Sequence, residues 1–279
     1  MMKFILFCIT GFFLLSGGMY FWKQKPPSLE SYKEMLAEFT KQQIETLEIQ
    51  YTAEGIMASH EKELLKGQGY IFLDPQLLFQ PYIVMDVKYT QKKGDPKEGK
   101  LLWSLMDGEM VLDTKSWEKT HGYEDFLLAK ATSNDLKLIQ AVIDGGGSID
   151  REQLYGKFKI DSDQVDRWIT SCRAKKLLFA SGSKLKLHLQ TPKLAQEPIT
   201  LFAHYPVLSP IQNATKMKKK YSSTQIKGLL QKAFGEDFAI RKTEEIFLPI
   251  YQITVQNPDD SYSRSYWNAL TGKRFEGYK

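Results

Sequence analysis

Residues 133–190 of this 279-residue chain read SNDLKLIQAVIDGGGSIDREQLYGKFKIDSDQVDRWITSCRAKKLLFASGSKLKLHLQ, and this stretch decides the fold. Apolar residues at helical spacing predict three helices, beginning near residues 133, 150 and 161. The apolar face of the third helix consists of Val165, Trp168, Ile169 and Cys172. Leucines then alternate with polar residues up to residue 189, which is typical of a strand. The sequence therefore predicts three helices followed by a β-hairpin.

Three helices and a hairpin in this order resemble a winged helix, and we expect such a module over residues 131–192. The resemblance implies DNA binding, with the third helix in the major groove. The start of that helix carries Asp161, Asp163 and Asp166, which a phosphate backbone would repel. Carboxylates are also common at helix N-termini because they complement the helix dipole. Nucleic acid is therefore not the expected partner, and a protein contact or a spacer role is preferred.

The segments on either side of this module, residues 23–130 and 193–279, both predict an α+β module. The first begins with a helix predicted from Ser28 to Leu47, and both contain strands joined by turns. The chain as a whole is therefore predicted to be an α+β multidomain protein. Its two flanking modules would each consist of a helix and an antiparallel sheet.

The two flanking modules share a sequence pattern. Phe79-Gln-Pro81 and Phe247-Leu-Pro249 each open an alternating strand. After the following turn, the residue pairs Trp103 and Gly108, and Trp267 and Gly272, keep the same spacing. The glycine suits a turn that requires a positive φ. The pattern indicates an internal duplication, although any two hairpins that end in a glycine turn share some of it.

The second copy is similar to the PepSY domain over residues 220–279. The similarity rests on a helix, a strand and a hairpin ending in Trp267-Asn-Ala-Leu-Thr-Gly-Lys273. Asn268 stands where the family has aspartate, and the first copy retains only Asp107-Gly-Glu109. The resemblance implies an extracytoplasmic, non-catalytic module of a kind sometimes suspected of modulating peptidases.

The first 22 residues predict a membrane anchor or a signal peptide. Residues 4–22 carry no charge, and a helix of that length spans about 28 Å, close to the bilayer core. Tyr20 and Trp22 would lie at the interface, so we expect the bilayer to be a partner through residues 4–22. Cleavage near Gly18, which would release a secreted or periplasmic protein, is the alternative. In either case we expect the body to lie outside the cytoplasm.

Composition and motifs do not indicate catalysis. The net charge of +5 is too small to imply nucleic acid by itself. Of the two cysteines, Cys8 lies in the leader and Cys172 on a helix, so a disulfide framework is excluded. No hydrolase, metal-binding or phosphate-binding motif is present. We therefore expect no catalytic residue, no metal ligand and no cofactor.

The candidate site is a partner-binding surface on the third helix and the only basic run. Its residues are Asp163, Asp166, Arg167, Thr170, Arg173, Lys218, Lys219 and Lys220. The paired Trp103 and Trp267 could line a groove. The expected function is that of a membrane-tethered, exported, non-enzymatic binding or assembly protein with an unknown envelope partner. The alternative is a membrane-anchored transcription regulator with its winged helix in the cytoplasm.

Overall fold

The computed structural model describes residues 43–91, 94–210 and 215–275. These residues form a mixed α+β structure with one large curled sheet, one small sheet and seven helices. The predicted membrane segment at residues 4–22, the cleavage site near Gly18 and most of the first predicted helix lie outside the described residues. In the described part of the chain, no helix has the length and apolar composition needed to cross a bilayer.

The described elements occur along the chain as groups of strands and groups of helices. In chain order they are β1 (Gln43–Leu47), α1 (Ala53–Ser59), α2 (Glu61–Leu64), β2 (Ile71–Phe72), β3 (Gln76–Thr90), β4 (Pro96–Ser104), β5 (Met110–Asp113), β6 (Glu118–Lys119), α3 (Tyr123–Leu128), α4 (Ser133–Asp144), β7 (Ser148–Asp150), α5 (Arg151–Phe158), α6 (Ser162–Ala174), β8 (Leu178–Ser181), β9 (Lys184–Leu187), β10 (Pro206–Pro210), β11 (Thr215–Lys216), α7 (Ser223–Phe234), β12 (Ala239–Gln256) and β13 (Tyr262–Asn268).

The large sheet is centred on its two longest strands, β3 and β12, which pair antiparallel. Its strand order is β10-β1-β12-β3-β4-β5-β6, with β2 and β13 also on β12 and β11 also on β3. Strands from residues 43–119 and from residues 206–268 are thus interleaved in one sheet, which joins the two predicted α+β modules. The helix predicted to reach Leu47 is wrong at its end, because Thr46 pairs with Phe247 in a parallel ladder and residues 43–47 form β1.

The residues of the proposed repeats occupy equivalent places in this sheet. Trp103 lies opposite Ile83 across β3 and β4, and Trp267 lies opposite Tyr251 across β12 and β13. The N–H of Leu105, two residues after Trp103, donates to the carbonyl of Pro81 at 3.1 Å. The N–H of Ala269, two residues after Trp267, donates to the carbonyl of Pro249, also at 3.1 Å. Both hairpins therefore leave the sheet through the same backbone arrangement.

The strand that precedes each proposed repeat pairs with a long strand of the other one. β1, from the first segment, runs parallel to β12 with Thr46 opposite Phe247. β11, from the second segment, runs parallel to β3 with Lys216 opposite Phe79. The two phenylalanines are the equivalent residues of the Phe-x-Pro motifs. Each segment therefore contributes a short parallel strand to the long strand of the other segment, at the same position.

The helices are exchanged in the same way. The N–H of Tyr51, just before α1, donates to the carbonyl of Ala269 at 2.9 Å, and α1 packs Ile56 against Trp267. The N–H of Tyr221, just before α7, donates to the carbonyl of Leu105, also at 2.9 Å. Each helix is capped at its N-terminus by a hydroxyl side chain, which fixes where it starts.

The small sheet has the strand order β7-β9-β8. It contacts helices α4, α5 and α6. Val165, Ile169 and Cys172 are buried, as the helical spacing predicts, and α6 packs on α4. The largest hydrophobic core runs without interruption from these helices to α7 and the β3–β4 hairpin. Trp103 and Trp267 are 0% and 1% exposed, so the prediction that they could line a groove is wrong. Indole rings at the base of each hairpin fill the cores instead.

Candidate partner-binding surfaces

Helix α6 carries five of the eight residues predicted to contact a partner and exposes four of them. The side chain of Asp161 accepts a hydrogen bond from the N–H of Asp163 at 3.3 Å and starts the helix. The face that packs on α4 is apolar, so polar side chains occupy the solvent face. Arg167, Thr170 and Arg173 are exposed on that face, at helical spacing of three residues.

Of the acidic residues of α6, Asp166 has local partners. Asp166 accepts a hydrogen bond from the Tyr155 hydroxyl at 2.8 Å, and this bond raises the pKa of Tyr155. The Thr170 hydroxyl donates to the backbone carbonyl of Asp166 at 2.8 Å. Within the described residues, Arg167 and Arg173 form no ion pair. The solvent face of α6 therefore offers two guanidinium groups to an external partner.

A shallow cleft of about 550 Å³ lies between α6 and the hairpin formed by β8 and β9. Thr170 and Arg173 form one wall, and Phe179 and His188 belong to the other. The rings of Phe179 and His188 are 5.0 Å apart, and Phe179 is 38% exposed. An aromatic ring beside an unpaired guanidinium is a combination enriched at protein interfaces.

The basic run forms a separate surface before α7. Lys219 pairs with Glu245, and Lys220 lies 2.6 Å from Glu124. Glu124 also accepts a hydrogen bond from the Tyr221 hydroxyl at 2.9 Å. The pKa of Tyr221 is raised to about 12, mainly because the hydroxyl is buried and also because it lies beside the Glu124 carboxylate. Two of the three predicted lysines are thus already paired within the chain. Lys218 is exposed.

Sequence reasoning missed a second cleft, of about 540 Å³, between α4 and α7. Its apolar lining includes Phe158, Leu194 and Phe234, and its rim carries Lys137 and Lys232. Lys232 donates to the carbonyl of Ala131 at 3.0 Å. The residues that line the cleft come from distant parts of the chain, and no local pattern could have indicated it.

The most strongly perturbed carboxyl joins α4 to α6. Asp135 accepts hydrogen bonds from the backbone N–H of Thr132 at 2.7 Å and the Ser171 hydroxyl at 3.0 Å, and it pairs with Lys175. Burial alone would raise the pKa of Asp135, but Lys175 and the other donors outweigh it and lower the pKa to about 2. Burial and the same carboxylate raise the pKa of the Cys172 thiol, which makes it a poor nucleophile.

A second buried carboxyl, Glu109, caps helix α3. It accepts hydrogen bonds from the Thr120 hydroxyl at 2.7 Å and from the N–H groups of Gly122 and Glu124 at 2.9 and 3.0 Å. Burial raises its pKa against the opposing effect of these donors. Its donors all belong to the turn and the first residues of α3. Each of these perturbed groups is thus explained by packing and capping.

In the parts of the chain that the structure describes, no three His, Cys, Asp or Glu side chains are grouped to hold a metal ion. Comparison with protein-family models, with curated proteins and with solved structures finds no match to this chain.

Proposed function

We propose that this chain is a membrane-tethered, exported, non-enzymatic protein that binds or assembles with another protein of the envelope. The observation that carries the proposal is the solvent face of α6. Arg167, Thr170 and Arg173 are exposed there, beside the cleft that Phe179 and His188 line. None of these side chains belongs to the hydrophobic core, so they are free to contact a partner.

The organisation behind this role is a winged-helix-like module inserted between two exchanged repeats. The order α4-β7-α5-α6-β8-β9, with β9 between β7 and β8, supports the winged-helix reading of residues 131–192. The equivalent placement of Trp103 and Trp267 supports a duplication of the flanking α+β units. The second unit would be PepSY-like, a family whose members are extracytoplasmic and non-catalytic.

A non-enzymatic role is supported by the surroundings of the two buried carboxyls whose pKa is shifted, Asp135 and Glu109. Asp135 is held by Lys175 and by the start of α4, while Glu109 is enclosed by donors from the turn before α3. Perturbed carboxyls at catalytic sites usually face a cleft. Neither residue lines any of the clefts described above.

The first test is the topology of the full chain in its host, with alkaline phosphatase or a fluorescent protein fused after Lys279. We expect phosphatase activity without cytoplasmic fluorescence, because residues 4–22 would export the body. The matched control lacks residues 4–22 and should reverse both signals. Fluorescence from the intact fusion would contradict export and favour the alternative, a membrane-anchored regulator. That regulator would bind DNA through Arg167 and Arg173 of α6 and through Lys184 and Lys186 of β9.

The second test places a photo-cross-linking amino acid at Thr170 in cells. We expect a discrete adduct at that position, because the side chain borders the exposed cleft beside α6. Lys62 is an exposed residue on α2 and provides the control position. Adducts of equal yield at both positions would contradict a specific surface on α6.

A further inference from the structure

We propose that the cleft between α4 and α7 binds a fatty acid, whose carboxylate lies at Lys137 and Lys232. The acyl chain lies against the rings of Phe158 and Phe234. This site shares no lining residue with the cleft beside α6, and it adds a ligand to the protein-binding role proposed above. The inference follows from the size of the cleft, from its apolar lining and from the charges at its rim.

The cleft has the size and the lining of a small-molecule site. Its volume is about 540 Å³, and ligand pockets usually measure about 300–1,000 Å³. Phe158, Leu194 and Phe234 line the cleft, and all three pack against the largest hydrophobic core. The apolar lining is therefore held in place by the rest of the molecule.

Two of the lining rings are also fixed by other aromatic side chains. The ring of Phe158 packs edge-on against Trp168, with 5.4 Å between the ring centroids. The ring of Phe234 packs against Phe238, also with 5.4 Å between the centroids. Fixed apolar walls suit a flexible acyl chain, because the chain loses its contact with water without any ordering of the protein.

The uncompensated positive charges lie beside the N-terminal half of α4. Lys232 donates to the carbonyl of Ala131, just before this helix, at 3.0 Å, and a neutral partner leaves the lysine charge in place. Lys137 lies on the second turn of α4 and is exposed. Among the described residues, neither lysine forms an ion pair. This end of the cleft therefore favours an anionic group.

The charges at the other end of the cleft compensate each other. Lys157 lies 3.1 Å from the carboxylate of Asp144, the last residue of α4. Phe158 is the next residue along the chain and lines the cleft at this end. Lys137 and Asp144 are two helical turns apart, which is about 10.5 Å along the helix axis. A ligand with an anionic head and an apolar tail matches both ends, with its head near Lys137 and its tail towards Phe158.

The test uses the full chain in phosphatidylcholine nanodiscs and dodecanoic acid with a photoreactive diazirine at the end of its chain. Mass spectrometry after irradiation maps the labelled residues. We expect label in the peptide that contains Phe158, and unlabelled dodecanoic acid should suppress it. Ala233 lines the cleft, so Ala233→Trp should fill it and lower this labelling at least about tenfold. Label distributed evenly over the exposed peptides would overturn the proposal.

The charge of the head group is tested with the double variant Lys137→Gln/Lys232→Gln. Lys62→Gln, at an exposed lysine of α2, is the control. Unlabelled dodecanoic acid should compete at least about tenfold more weakly in the double variant than in wild type or the control, the effect of about 1.4 kcal/mol of lost interaction. Equal competition by the acid in all three proteins would overturn the proposal.

Dodecan-1-ol provides a measurement that separates the charge from the apolar chain. It has the same chain length without the carboxylate, so it should compete equally in wild type, the double variant and the control. Equal competition by the alcohol also shows that the variants are folded. Because each ligand is compared with itself across the three proteins, its partition into the nanodisc cancels.

Three other occupants of the cleft would overturn the proposal. The occupant is the membrane surface if phosphatidylglycerol in the nanodisc abolishes the labelling. It is the chain's own N-terminal segment if labelling requires removal of residues 1–42. It is a second copy of the chain if Ala233→Trp dissociates a dimer.

These outcomes are distinct from those that test the proposed function. A cytoplasmic body, or equal adducts at Thr170 and Lys62, would contradict that function without changing the competition by dodecanoic acid. Conversely, a chain that is not labelled at Phe158 can still be exported and bind a partner at α6.

Discussion

Gly108 and Gly272 adopt backbone conformations that other residues enter only with strain. Their φ angles are 71° and 67°. A Cβ at position 108 would lie 2.6 Å from Cδ1 of Leu127, and one at position 272 would lie 2.9 Å from Cδ1 of Tyr51. Both the backbone and the adjoining side chains therefore require glycine, which explains why the same spacing from tryptophan occurs in both hairpins.

We expect Gly108→Ala to lower the free energy of unfolding by about 2–3 kcal/mol, because it adds left-handed strain to a clash in a packed core. Gly228→Ala is the control, since Gly228 lies within α7 with no atom within 4 Å of the added methyl group. That substitution should raise stability by about 1 kcal/mol through helix propensity. Urea denaturation of the three proteins measures both effects. Equal stability of wild type and Gly108→Ala would show that the turn can be rebuilt without glycine.

At the scale of elements, α4 and α6 are joined by apolar packing and by one buried carboxylate. Asp135 completes the capping box of α4 with Thr132 and also pairs with Lys175 at the end of α6. The side chain of Asp135 is 1% exposed, so its charge depends on these donors. Because its folded pKa lies below that of an unfolded carboxyl, the stabilisation is complete above about pH 4 and is lost as the pH falls towards 2.

We expect Asp135→Asn to lower the free energy of unfolding by about 2–4 kcal/mol at pH 7, since it leaves Lys175 without its partner. The difference from wild type should shrink as the pH falls from 4 to 2, where the wild-type carboxylate becomes protonated. Denaturation curves at pH 7, 5, 3 and 2 measure this. Asp163→Asn, an exposed change on α6, should cost less than about 1 kcal/mol at pH 7. A constant difference between wild type and Asp135→Asn across the whole range would contradict the assigned charge.

At the scale of the whole molecule, the two proposed repeats are held together because each one completes the sheet and the core of the other. β12 pairs with β3 from Ala239 to Pro249, and the indole of Trp267 is covered by Ile56 of α1. The second repeat taken alone would lack both contacts. This is the arrangement of an exchanged element, here within a single chain.

We therefore expect residues 193–279 expressed alone to remain unfolded, although they contain all the sequence that resembles PepSY. The isolated β12 would expose an unpaired edge, and Trp267 would lose its cover. A ¹⁵N–¹H correlation spectrum of the fragment should show narrow amide dispersion, whereas residues 43–279 should give a dispersed spectrum. Wide dispersion from the fragment would mean that the repeat folds without its partner.

Elements with strong local signals could be predicted from the sequence. The helix at α6 follows from its capping aspartate and the spacing of Val165 and Ile169, and the positive φ of Gly108 follows from its place after a strand. The candidate site was predicted less well. The exposure of Arg167 and Arg173 follows from helical spacing, but the pairing of Lys219 and Lys220 with Glu245 and Glu124 joins residues far apart in the chain.

The sequence by itself determined the local elements: capped helices, alternating strands, glycine turns and the matching spacing of the two hairpins. These depend on contacts within a few residues, which a local pattern records. Only the tertiary structure decided that β1 pairs with β12 and β11 with β3, that both tryptophans are buried, and that residues 197–201 cover the edge of β4. Those features depend on which distant segments meet, and hydrogen bonds between backbones carry no residue-specific signal of their partner.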